Sequence, residues 1–181
     1  MGLTERDVAY VREGYAPLEE VCAAAVRRWI AAGFVPRASY VLPDGTEMYP
    51  RDLLSLVEAV AAQGVREEFE RRYDAAEPVE EQWEAYLTGL YAVCLREVTP
   101  ETIARKSTLV DELVAMLEQP KPGDATWLEA LRERVDELDD LEREFSPDHD
   151  RVAFGRPPTR DALIAEPRRR YLRRQDREAV V

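Results

Sequence analysis

Apolar residues recur along most of this chain at spacings of three and four, the pattern of helices that bury one face. Thr4 followed by Asp7 has the spacing of a capping box, with Asp in place of the usual Glu, and predicts a short helix ending near Gly14. Pro17 suits a first helical position. Leu18, Val21, Cys22, Val26, Trp29 and Ile30 then share one face of a helix that stops at Gly33. From about Arg51, Leu53, Leu54, Leu56, Val57 and Val60 form the inner face of another helix, with Gly64 as its stop. A short helix over 65–73 follows. Pro78 opens one that buries Val79, Trp83, Tyr86, Leu87, Leu90, Cys94 and Val98.

Thr99-Pro100 both stops that helix and starts the next, which runs to Gln119. After the loop 120–123, a long amphipathic helix turns Trp127, Leu131, Val135, Leu138, Leu141 and Phe145 inward, with Asp, Glu and Arg on its other face. The segment beyond Pro147 is too rich in proline and charge to be regular. Thr159 is placed to cap a last helix through Ala165, which Pro167 should end or kink.

A single stretch carries a strand signal. Tyr40, Val41 and Leu42 lead into the turn Pro43-Asp44-Gly45, and Thr46, Glu47, Met48 and Tyr49 lead out, which predicts a hairpin at about 39–49. The expected class is therefore mainly α, a helical bundle with one small β-hairpin.

Composition narrows the function classes. Of 181 residues, 34% are charged and 45% apolar, with a net charge of −12, which fits a globular chain with well-solvated helices. The charge is uneven: −3 over residues 1–64, −12 over 65–145 and +3 over 146–181. The basic tail either folds back on the acidic helices or meets a phosphate-bearing or nucleic-acid partner. Lys106 and Lys121 are the lysines in a basic set otherwise made of arginine, and asparagine is missing, a bias of GC-rich coding.

The N-terminus lacks the pattern of a secretory signal and no apolar run reaches 18 residues, so the expected location is cytoplasmic, away from membranes. Cys22 and Cys94 fall in helix-like apolar stretches and read as buried thiols. There is no phosphate loop, dinucleotide fingerprint, zinc spacing or nucleophile elbow, and His149 is the one histidine. The expectation is a protein with no cofactor and no metal.

Two places carry candidate chemistry. Lys106 lies on the inner seam Ile103, Lys106, Val110, Leu113, Leu117. Either its stem covers apolar surface while its ammonium reaches water or a neighbouring carboxylate, or it is an anion anchor or a lowered-pKa amine in a pocket. The loop from Asp148 to Arg160 gathers His149, Asp150, Arg151, Arg156 and Arg160. It either docks on its own domain or grips a carboxylate or phosphate. Acid–base work would fall to His149, Asp148 or Asp150. The run Asp136, Glu137, Asp139, Asp140 reads as a solvated face.

Two resemblances add to this. The stretch VRRWIAAGFVPRASYVLPDGTEMYPRDLLSLV resembles the winged helix-turn-helix of mercury-resistance-type regulators, with Arg27, Arg28 and Trp29 on the recognition helix and the hairpin as wing. It implies a winged-helix-like module over 1–64, packed on a helical domain over 65–181. Its net charge of −3 lacks the basic footprint of a DNA reader, so nucleic acid is not the expected partner. The blocks SYVLPDGTEM, VTPETIARKSTLV, WLEALRERVDELDDLEREF and DRVAFGRPPTRDALI, in this order, are similar to a family of unknown function labelled as natural product biosynthesis proteins of GC-rich filamentous bacteria.

That second resemblance implies a place in secondary metabolism. It supplies no reaction and no catalytic residue list, but Tyr40, Asp44, Lys106, Asp150, Arg151, Arg156 and Arg160 sit inside its blocks. Of these, Tyr40, Asp44, Lys106, Arg151, Arg156 and Arg160 are the ligand-binding candidates, and residue chemistry makes His149, Asp150 and Lys106 the catalytic ones. The expected function is to bind or convert an anionic or amino-acid-like metabolite. The alternatives are a winged-helix transcriptional regulator and a non-catalytic protein that docks a pathway enzyme.

Overall fold

The computed structural model describes residues 2–17, 24–52, 64–150 and 158–172. It is mainly helical, with a small antiparallel sheet near the N-terminus. Helix α1 (Glu5–Gly14) begins as its sequence predicts: the Thr4 hydroxyl accepts from Asp7 N while the Asp7 carboxylate accepts from Thr4 N, a reciprocal capping box. Pro17 itself closes a strand, and the helix start predicted just after it, over residues 18–23, lies outside the described residues. Tyr15–Pro17 is strand β1, and after it helix α2 spans Ala24–Ala31. Gly33 stops α2 as expected, with φ +73 and the paired bonds Gly33 N to Ile30 O and Phe34 N to Trp29 O of a Schellman end.

The predicted hairpin forms from β2 (Tyr40–Val41) and β3 (Glu47–Pro50). β1 adds to its far side, pairing Tyr15 with Pro50, Ala16 with Tyr49 and Pro17 with Met48, so the strand order is β1-β3-β2. Three residues are too few to show an alternating pattern, which is why β1 is invisible in the sequence. Its proline sits on an edge strand, where a missing ladder donor is tolerated. The helix predicted from Arg51 to Gly64 lies, from Leu53 to Gln63, outside the described residues.

Helix α3 covers Val65–Arg72 and α4 covers Val79–Leu87. The helix expected to run on to Val98 breaks at Gly89. That residue has φ +77, and a Cβ there would lie 2.6 Å from Arg37 O, so the chain turns tightly against the backbone before β2. A single turn, α5 (Tyr91–Cys94), follows. The break exposes Leu90, which the helical pattern places on the inner face, and buries Leu95.

Helix α6 (Pro100–Glu118) opens on Thr99 with Pro100 in its first turn, and α7 (Ala125–Leu141) opens on Asp124, whose side chain accepts from Thr126 N and Trp127 N. Beyond it, α8 (Arg160–Ala165) and α9 (Arg168–Leu172) are wound with wide, i to i+5 turns. Thr159 makes no side-chain cap, and Pro167 does not end the helical path.

Two buried clusters hold these elements. One joins Val11, Tyr15, Val26, Tyr40 and Tyr49 to Phe69, Trp83, Val93 and Ile103, and so draws on both sides of residue 64. The other packs Leu109 and Leu113 of α6 against Leu128, Leu131, Val135 and Leu138 of α7 and against Leu163, Ile164 and Leu172. Each fully buried leucine contributes about 1.5–3 kcal/mol. Among the described residues no helix is long and apolar enough to cross a membrane.

Candidate functional site

Where α7 ends, the chain turns extended and Glu142 pairs with Leu95 in a two-residue antiparallel bridge. Glu142 is wholly buried. Nearly two turns into α6, Lys106 sits on the inner seam, and its Nζ lies 2.9 Å from Glu142 Oε1. Neither carboxylate oxygen receives a hydrogen bond among the described residues, so Lys106 meets Glu142 as an ion pair. Burial lifts the Glu142 carboxyl above its usual range, opposed by the ammonium of Lys106. Burial pulls Lys106 down, but the Cys94 thiol and Glu142 beside it win, and its ammonium is held above the ordinary lysine value. The environment thus produces a paired ammonium rather than the lowered-pKa amine weighed from the sequence.

This pair stands at one side of a groove of about 490 Å³. Lys106, 11% exposed, Cys94, Tyr91 and Thr159 are its polar or sulfur-bearing lining; Leu90, Val110, Val114, Phe145, Ala162 and Leu163 are apolar. Volume and lining are those of small-molecule sites, mostly apolar with a few placed polar groups. Burial raises the Cys94 thiol, against the pull of Lys106, so it stays protonated. An ammonium and a neutral thiol bind and orient; neither is a ready nucleophile.

A second constellation surrounds Asp150, which is 1% exposed. Tyr40 Oη donates to its Oδ2 at 2.8 Å, Ser146 N donates to the same oxygen at 2.7 Å, and Asp150 N donates back to Ser146 Oγ at 3.0 Å. His149 Nδ1 lies 3.3 Å from Oδ1. Burial, then Tyr15 and Asp150, push the Tyr40 phenol far above its ordinary value, so it stays protonated and donates to Asp150. The turn carrying these residues is pinned to α1, because Asp7 Oδ1 accepts from Asp148 N at 2.9 Å and His149 N at 3.1 Å. Burial would raise the Asp7 carboxyl; the amide donors of Thr4, Asp148 and His149 outweigh it and hold it far below the carboxylate range.

The structure therefore brings Tyr40, His149 and Asp150 together and places Lys106 in a separate groove, with Phe145 on the segment between. Asp44 stands apart at the exposed hairpin turn, where it accepts from Thr46 N at 2.9 Å. Arg160 donates to the Glu142 carbonyl at 3.1 Å and pairs with Asp139. Arg168 reaches Asp136 at 2.5 Å and Asp139 at 2.6 Å. Both arginines tie the C-terminal helices to the acidic face of α7. Arg151 and Arg156 lie outside the described residues.

Glu142, Cys94 and Asp7 were missed as site residues. For Glu142 the signal was present: it continues the seam Leu131, Val135, Leu138 at a spacing of four, just as Lys106 interrupts the seam of α6. Opposite charges on facing seams point to a buried pair.

A family model described as a family of unknown function, DUF6058, matches residues 50–172. The chain belongs to this family. The DUF6058 match takes in Cys94, Lys106, Glu142, His149, Asp150 and Arg160, and leaves α1, β1 and the turn carrying Asp44 outside it. No curated protein and no solved structure matches the chain.

Proposed function

We propose that this protein binds a small metabolite of secondary metabolism, with an apolar body and one anionic or carbonyl group, in the groove beside Lys106. One observation carries the reading: a nearly buried lysine, backed by a carboxylate, lines a mostly apolar groove of about 490 Å³. Lysine has three donors. Glu142 pairs with the ammonium by charge and Cys94 engages it as well, which leaves a donor for a ligand oxygen. The walls from Val110, Phe145 and Leu163 favour an aliphatic or aromatic body. The place in secondary metabolism rests on the sequence blocks alone, and a pathway enzyme is the natural partner for such a binder.

Calorimetric titration with octanoate tests this. Lys106→Met combined with Glu142→Gln keeps both volumes while removing both charges. Octanoate should bind the native protein and lose at least about tenfold in affinity, or 1.4 kcal/mol, in the double variant. Equal affinity in both proteins would sink the reading.

A second reading has its own support. The element order helix, strand, helix, hairpin, with β1 paired to the second strand of the hairpin, suits a winged helix, and Arg27 and Arg28 are exposed on α2. The hairpin side opposes it, because Asp44 and Glu47 are exposed and acidic there. Fluorescence anisotropy on duplex DNA decides: a DNA binder shows affinity falling steeply with salt, and no binding at low salt removes this reading.

A further inference from the structure

The bridge that turns Glu142 inward turns its neighbours the other way. Arg96 N donates to Leu141 O and Arg143 N to Cys94 O, each at 3.0 Å, so Leu95 and Glu142 face one another as a non-hydrogen-bonded pair. Side chains alternate across such a pair. Leu95 and Glu142 are wholly buried, while Arg96 and Arg143 line a second cavity of about 490 Å³ together with Tyr10, Glu13, Gly14 and Glu144.

Arg143 is held in place. Its guanidinium lies 4.8 Å from the centre of the buried Tyr15 ring, and Nη2 reaches Arg96 O at 3.4 Å. Gly14 leaves it room, since a Cβ there would collide with Arg143 Nη1. Arg66, Arg72, Arg105, Arg134, Arg160 and Arg168 all have carboxylate partners. Among the described residues, Arg96 and Arg143 have none, and neither do Glu13 and Glu144.

Two cations and two anions thus face one cavity without neutralising each other. A simple anion would meet the two glutamates, and a simple cation the two arginines. A molecule bearing both charges a few ångströms apart meets neither obstacle.

We propose that this cavity is a second ligand site, for a free amino acid or a close zwitterionic relative, with the carboxylate on Arg96 and Arg143 and the ammonium toward Glu13 and Glu144. Guanidinium forks grip carboxylates through paired, charge-assisted bonds. The site shares no side chain with the Lys106 groove, so it stands or falls separately.

The test titrates the full chain with the proteinogenic L-amino acids, each to about 10 mM, read by saturation-transfer NMR. At least one should saturate, and its N-acetyl and carboxamide derivatives, each lacking one charge, should bind at least about tenfold more weakly. Arg96 is exposed, so Arg96→Gln should keep the melting temperature and lose affinity by a similar factor. Arg143→Gln should lose affinity likewise, and the double variant Lys106→Met with Glu142→Gln should leave affinity unchanged. The proposal is overturned if no amino acid saturates, if the derivatives bind equally well, if Arg96→Gln binds like the native protein, or if that folded double variant loses binding.

Discussion

Lys106 and Glu142 each occupy a position that apolar residues hold on the neighbouring turns, and they meet there at 2.9 Å. A charge on a buried seam is costly when alone and tolerable when paired. Lys106→Met alone strands a buried carboxylate and should cost about 3–5 kcal/mol in urea unfolding, whereas Lys106→Met with Glu142→Gln should come within about 1 kcal/mol of the native protein. Additive losses in the double variant would show that the two groups act independently.

The same pair gives binding a pH dependence. Glu142 lies above its ordinary carboxylate value, so it holds its proton more readily than in the unfolded chain. An anion arriving beside Lys106 raises it further, and binding takes up a proton. Octanoate affinity should therefore fall as pH rises above the ordinary carboxylate range, by at most about tenfold per unit. Glu142→Gln should flatten that slope and tighten octanoate binding at neutral pH; a slope that survives the substitution would place the titrating group elsewhere.

Asp7 sets an acid limit on stability. Its carboxyl is depressed in the folded chain, so the stabilisation it gives is complete above the unfolded value of 3.8 and drains away as pH falls below it. Asp7→Asn should cost about 1–3 kcal/mol at neutral pH, through lost amide contacts to the 148–149 turn. Unfolding curves of the two proteins should converge in acid; a constant gap down to about pH 2 would rule out this ionised carboxylate as the cause.

Tyr40→Phe removes one of the donors to buried Asp150 while leaving Ser146 N in place. The loss should be about 1–2 kcal/mol by chemical denaturation. Octanoate affinity should not change, because Tyr40 does not line the Lys106 groove.

Gly89→Ala meets both a positive φ and a carbonyl at 2.6 Å. The destabilisation should reach about 2 kcal/mol or more, against about 1 kcal/mol or less for Gly123→Ala, which has open space around it. Thermal melts compare the two directly.

Much of this fold is readable from spacing. The caps at Thr4 and Thr99, the stop at Gly33, the hairpin and the two long helices all rest on local chemistry that neighbouring residues express in sequence. What local patterns miss is set by distant partners. β1 exists because β3 offers it a ladder, and the break at Gly89 exists because the backbone at Arg37 passes close by. The site divides along the same line: Lys106 is legible as a misplaced charge on one helix, but its partner becomes visible only when two seams are compared. Arg96 and Arg143 look like ordinary surface residues in sequence, since what singles them out is the cavity they share with Glu13 and Glu144.

The wide winding around Pro167 fixes where the end of the chain grips. Leu163 and Leu172 are nine positions apart, which at 3.6 residues per turn would aim them to opposite sides of the rod, yet both are buried in the cluster around α7. The slack coils supply the missing rotation and carry Arg168 to Asp136 and Asp139. A tighter coil through this point would swing leucine and arginine off α7 together, so one proline governs the pitch at which the C-terminal arm clasps the bundle.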